Sequence, residues 1–406
     1  MHELVGALRS YAWGSRTALA QLCGRPVPSA HPEAELWFGA HPADPAQVRI
    51  GDHTISLLEL VAADPDRELG IAAPEFGGKL PFLLKVLAAE EPLSLQAHPS
   101  MAQAATGFER ENRARVPLDS PMRNYRDENH KPELVVALDR FEALAGFRDP
   151  DRTVELLRAL RVDGLDSYAD LLAAQPDSAG LRTLFTTWIT LPHQVLATLL
   201  PAVLDGCVRY LSGKGKREFV PEARTALELA EAYPGDAGVL AALLLNRLTL
   251  EPGQGLFLAA GNLHAYLRGL GVEIMANSDN VLRGGLTPKH VDVPELLRVL
   301  DFEPIDLPVV LPEPAGDGSV RYRTPAPEFA LRRFDLVAGS ARVPLTAAGP
   351  GIVLCTAGAV RLFQNGSLLE LERGAAAWIS AIDTDIRAQA VNGNAQLFCA
   401  CVGGTN

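Results

Sequence analysis

The sequence predicts a mainly β protein with a helical insertion, and three observations carry that prediction. Before residue 149 the chain is broken by Pro and Gly and holds short β-type runs, Leu80 to Val86 and Leu134 to Leu138 among them. Between residues 149 and 247 the apolar residues switch to helical spacing. From Leu248 short strands return, punctuated by Pro252-Gly253, Gly261, Gly284-Gly285 and Gly349-Pro-Gly351, and they run to the end of the sequence.

In chain order, Asp149-Pro150-Asp151 reads as a helix start, and Val154, Leu157 and Leu160 then recur along one face. Leu184, Trp188 and Leu191 form a second stripe. Gln194 to Leu211 is mostly apolar with Pro201 inside it, and Glu222 to Ala232 is rich in the helix formers Ala, Leu and Glu. The expected divisions are 1–148, 149–247, 248–302 and 303–406, with the final ~85 residues reading as an independent all-β module.

At 406 residues and 48% hydrophobic the chain can bury a large core in two or three domains. No run approaches the ~18 apolar residues of a membrane span, and Met1-His-Glu-Leu lacks the basic start of a signal peptide, which points to the cytoplasm. Five cysteines without zinc-knuckle spacing are expected to be reduced thiols. A formal net charge of −12 repels nucleic acid and anionic membranes, so any anionic ligand must be caught by a local basic cluster.

Three short stretches point to chemistry. In Leu93-Ser-Leu-Gln-Ala-His-Pro-Ser100, alternation puts Ser94, Gln96 and His98 on one strand face and Leu93, Leu95 and Ala97 on the other. A solvated outer face alternates in the same way, so this stretch alone leaves both readings open. In "ENHKPE", residues 128–133, Glu133 stands at the mouth of the apolar run Leu134 to Leu138. In "AAGNLHAYL", residues 259–267, Gly261-Asn262 reads as a tight turn and His264 enters the next strand. Together Gln96, His98, Glu133 and His264 suit a borderline cation such as Zn²⁺, one per chain. One carboxylate and three neutral ligands leave such a site with net positive charge, able to polarise a carbonyl or hydroxyl oxygen.

With "VEIMANSDNVLRGGLTPKHVD" at 272–292 following in the same order, the chain resembles type I mannose-6-phosphate isomerase. The likeness is carried by "KLPFLLKVLAAEEPLSLQAHPS", "ENHKPELVVAL", "GNLHAYL" and "NSDNVLRGGLTPKH", with weaker similarity through "SYAWGS" and "ELWFGAHP". It implies two cupin-type β jelly rolls plus an α-helical domain. Residues 1–148 and 248–302 then form the catalytic jelly roll, 149–247 the insertion and 303–406 a C-terminal jelly roll without a histidine of its own. It also implies that Gln96, His98, Glu133 and His264 are the zinc ligands, that Arg283 is catalytic, and that the substrate is a phosphosugar in mannose metabolism. A monomer is the working expectation.

Aldose–ketose isomerisation moves a proton between C1 and C2 of an open-chain sugar phosphate, so it needs a base, an oxygen-polarising group and a stabiliser of enediol-type charge. Arg283 suits the last role through its fixed fork of donors. Glu273, on the strand after His264, is the nearby carboxylate best placed for proton transfer, with Asp279 as an alternative. Lys131, two residues before Glu133, is placed with Arg283 and Glu273 as catalytic. Ser94, Lys85, Lys289 and Asp279 are expected at the substrate. Lys85 interrupts an apolar run, so it must either snorkel outward or meet an anion. Rival readings are an iron dioxygenase, which needs open positions that Gln96 would fill, a non-catalytic sugar-binding cupin, and a different sugar-phosphate isomerase.

Overall fold

The strand Phe82–Ala89 is buried along its whole length because both of its faces are covered. Phe82, Leu84, Val86 and Ala88 enter a core shared with the C-terminal sheet, while Leu87 and Ala89 point into the interior of the first β unit. The computed structural model describes residues 1–214, 217–306, 309–345 and 350–403.

The first β unit is an eleven-stranded sheet folded around the thirteen-residue strand His264–Ala276. The second half of that strand lies between Phe82–Ala89 and Glu133–Ala137, and its first half pairs with Leu95–Ala97 and Phe141–Phe147. It changes partners at a register shift between Tyr266 and Arg268. Gly269 follows at φ +132°, where a Cβ would stand 2.8 Å from the Phe141 Cα. Only glycine fits so close an approach, and the bend lets one strand serve two walls of a jelly roll.

Helices occupy the chain from Pro150 to Ala242. Asp149 caps the first of them, accepting from the Arg152 N–H at 2.9 Å, with Pro150 at the first helical position. Val154, Leu157, Leu184 and Trp188 are buried, and Leu95, Ala97, Leu263 and Leu282 of the β unit join the same core. Leu191 packs on that core too, but beyond the end of its helix, Ser178–Ile189. The expectation of no span-length apolar segment is corrected by the twenty-residue helix His193–Ser212, the one helix among the described residues long and apolar enough to cross a membrane. No membrane role follows, because Leu196, Leu199, Leu200, Val203 and Cys207 line the helical core.

The expected independence of the C-terminal module is also corrected. Its nine-stranded sheet takes in His2–Val5, Gln47–Ile50 and His53–Ser56. His2–Val5 lies between Ala376–Ile379 and Gln47–Ile50, and Trp378 donates its indole N–H to Glu68 Oε2 at 2.7 Å. Alternation shows which face of a strand is apolar, not which strand lies beside it, so this exchange left no local mark. The strands Val343–Pro344, Ala359–Gln364, Ser367–Glu372 and Arg387–Ala390 form the opposing four-stranded sheet. The two sheets meet over Val353, Cys355, Val360, Leu362 and Leu371.

Candidate metal centre and active site

Three neighbouring strands carry the first row of the site. Gln96 stands directly opposite His264 on one side and Arg283 on the other, so the three side chains share a face. The other face of that short strand, Leu95 and Ala97, is sealed in the helical core, so its polar face turns inward. The Gln96 amide nitrogen donates to Ser94 Oγ at 3.2 Å, leaving its amide oxygen as the atom available to a ligand.

His98 Nδ1 donates to the Asn280 carbonyl at 2.8 Å, and His264 Nδ1 to the Asn262 carbonyl at 3.0 Å. A carbonyl only accepts, so each ring, in its neutral form, presents a lone pair at Nε2. His98 Nε2 lies 3.4 Å from Glu133 Oε1 and His264 Nε2 lies 3.6 Å from Glu133 Oε2. Those separations are long for hydrogen bonds. They match the ~3.4 Å between neighbouring ligand atoms of a tetrahedral zinc with bonds of about 2.1 Å. His98 Nε2 is buried with no hydrogen-bond partner, and one donor atom from each of His98, Glu133 and His264 falls within 4.8 Å of the others. The residues therefore fit a cation.

The electrostatics agree with that fit. Burial, then the neighbouring His98, pushes the His264 pKa from 6.5 down to about 4. Burial alone would raise the Glu133 carboxyl, but His98, Lys131 and His264 outweigh it and hold the group well below its ordinary value. The set thus presents an ionised carboxylate and, at His264, a neutral imidazole. Between pH 6.5 and about 4 an unfolded chain binds a proton that folded His264 refuses, so the metal-free protein should lose stability as pH falls through that window. Thermal unfolding of chelated protein across this range checks the prediction, and the slope should shrink in His264→Gln. An equal slope in that variant would contradict the burial of a neutral ring.

A model of the family described as phosphomannose isomerase type I, catalytic domain, matches residues 1–150. The sequence is 38% identical to mannose-6-phosphate isomerase of Escherichia coli strain K12 over 389 residues, covering 95% of this chain and 96% of that one. The chain belongs to the type I mannose-6-phosphate isomerase family. The mannose-6-phosphate isomerase of Salmonella typhimurium strain LT2 is 36% identical across 98% of this chain and 99% of its own. A crystal structure of a point variant of phosphomannose isomerase from Salmonella typhimurium superposes with a TM-score of 0.91 at 36% identity, covering 100% of both chains. A zinc-bound mannose 6-phosphate isomerase superposes with a TM-score of 0.89 at 35% identity, covering 99% of both.

Within this isomerase Lys85 lies deeper than a substrate contact requires. It is 7% exposed, with Nζ 3.2 Å from Glu35 Oε1 and 3.0 Å from Glu273 Oε2. Burial opposes its charge, but Glu273 and Glu35 outweigh burial and raise the pKa, so the ammonium persists. A lysine shared by two carboxylates has little charge left for phosphate, and the pairing ties Lys85 to the carboxylate of Glu273. It is the buried alternative, a lysine that meets an anion, that the fold adopts. Glu273 is 2% exposed and accepts from the Tyr266 hydroxyl at 2.7 Å, and burial raises its carboxyl pKa in spite of Lys85.

Lys131 joins the centre directly, with Nζ 3.2 Å from Glu133 Oε1. Asp279 is at the half-exposed rim, 3.4 Å from His41 Nε2, and the hydrogen bond from His41 lowers its pKa. That engagement makes it a poorer base than Glu273. Lys289 is exposed, and Arg283 is half-buried. Sequence reasoning missed Glu35, Trp37, Tyr266 and Asn280. Trp37 donates to Glu35 Oε2 at 2.9 Å and lies under Lys85, Nζ to ring centre 5.6 Å. Tyr266 follows His264 by two residues on one strand, and that spacing was the signal available. Asn280 meets His98 through its carbonyl, a contact for which residue type gives no signal.

Proposed function

We propose that the protein interconverts mannose 6-phosphate and fructose 6-phosphate through an enediol-type intermediate, at a zinc held by Gln96, His98, Glu133 and His264. The observation that carries this reading is the convergence of two imidazole Nε2 atoms on the Glu133 carboxylate while both Nδ1 atoms are tied to carbonyls. When bound, zinc would polarise the sugar oxygens on C1 and C2.

The remaining steps belong to side chains. Glu273 takes the proton from one of the two adjacent carbons at a carboxylate oxygen and returns it to the other. Its raised pKa makes it a stronger base than an exposed carboxylate. Tyr266 and Lys85 hold that carboxylate in one orientation. Arg283 faces the same wall as Gln96 and offers its guanidinium to the charge that develops on the substrate oxygens. The buried walls around Glu273 and His264 exclude water from the proton in transit.

A coupled assay of mannose 6-phosphate conversion, with and without a chelator, tests the reading. Activity is expected, with loss on chelation and recovery when zinc is returned. An active protein indifferent to metal removal would overturn the zinc site, and a zinc-loaded protein without turnover would favour the sugar-binding alternative.

A further inference from the structure

Arg126 belongs to none of the roles above, yet the fold fixes it beside them. Its backbone N–H donates to Asn280 Oδ1 at 2.7 Å, and Asn280 Nδ2 donates to the Asp127 and Asn129 carbonyls, both at 2.8 Å. Asn280 is fully buried and lies three residues before Arg283. The loop that carries Arg126 is therefore stitched to the segment that carries Arg283 and Lys289.

Among the described residues these three cations also have no ion-pair partner. The chain holds 49 acidic residues against 37 Lys and Arg, so most basic side chains can find a carboxylate. Among the described residues none lies within ion-pair distance of Arg126, Arg283 or Lys289. Two nearby acids are occupied: Asp127 accepts from the Ser278 hydroxyl at 2.8 Å and the Asp279 N–H at 2.8 Å, and Asp279 pairs with His41. The cations also feel one another. Burial and then Arg126 lower the Arg283 pKa, while burial, Arg283 and Arg126 lower that of Lys289. Like charges gathered without counter-charges cost stability until an anion arrives.

Depth separates their roles. Arg283 is half-buried opposite Gln96, whereas Arg126 and Lys289 are exposed. We propose that Arg126 is a substrate-binding residue which, with Lys289, clamps the phosphate monoester of the substrate at the mouth of the site, leaving the deeper Arg283 for the reacting carbons. The proposal rests on the reading of this site as a phosphosugar isomerase.

Arg126→Ala tests it, since the side chain is exposed and the backbone does the stitching. KM for mannose 6-phosphate and Ki for inorganic phosphate should each rise roughly tenfold, as for loss of a charge-assisted contact made equally in ground and transition states. The kcat should stay within about twofold and zinc content should not change. Arg126→Lys should recover part of the loss. Unchanged KM and Ki would overturn the proposal, as would a fall in kcat at constant KM. Should the wild-type protein fail to turn over mannose 6-phosphate, the isomerase reading falls separately. Calorimetric binding of inorganic phosphate then decides: Arg126-dependent binding sustains the clamp, and Arg126-independent binding removes it.

Discussion

Purified His264→Ala protein is expected to lose its zinc and to fall in kcat by roughly 10³-fold or more, the several kcal/mol that a polarising metal supplies. Loss of His264 removes a lone pair aimed by the Asn262 carbonyl and leaves Glu133 with one imidazole instead of two. Metal analysis by mass spectrometry alongside the coupled assay checks both halves. Because His264 is buried at 4% exposure, a destabilised variant could mimic the result. His264→Gln, which keeps a polar group near the same volume, should retain the fold by circular dichroism while still losing most zinc. Full zinc and full rate in either variant would dismiss the assignment.

Arg283→Ala is expected to lower kcat by roughly 10²-fold or more with zinc content normal, the loss that follows removal of a donor to a developing oxyanion. Its guanidinium has no acid partner within ion-pair distance among the described residues, so no salt bridge is broken by the change. Arg283→Lys should recover only part of the rate, because it keeps the charge but not the planar fork. The contrast with Arg126→Ala is the sharper reading: one variant should lose kcat and the other KM. If Arg283→Ala instead raises KM at constant kcat, Arg283 joins the phosphate clamp. A variant with unchanged kinetics leaves zinc and Glu273 as the catalytic groups.

What the sequence revealed was local. Strand alternation in Ser94, Gln96 and His98, the carboxylate at the head of the run Leu134 to Leu138, and the turn before His264 each sit within a few residues of one another. The Asp149-Pro150 helix start was legible for the same reason, since a cap acts on its own first turn. Lys85 shows where this stops. Its oddity in an apolar run was visible, but its partner Glu35 lies fifty residues earlier, and the choice between snorkelling and pairing depended on strands that residue patterns do not bring together. Arg126 was hidden for a related reason, because its place is set by a hydrogen bond from its backbone to Asn280, which any residue type could make.

The strand His2–Val5 also sets a timetable. It is synthesised about 370 residues ahead of its partner, and it cannot complete its pairing until Ala376–Ile379, with Trp378 opposite His2, has been made. At about 5–20 residues per second that interval is roughly 20 to 75 s, a period in which Leu4 and the apolar strand faces beneath it have no finished sheet to cover them. The catalytic half of the chain is thus translated long before the sheet that backs it can close. Its exposure to aggregation is governed by the rate of synthesis of the strands that complete that sheet.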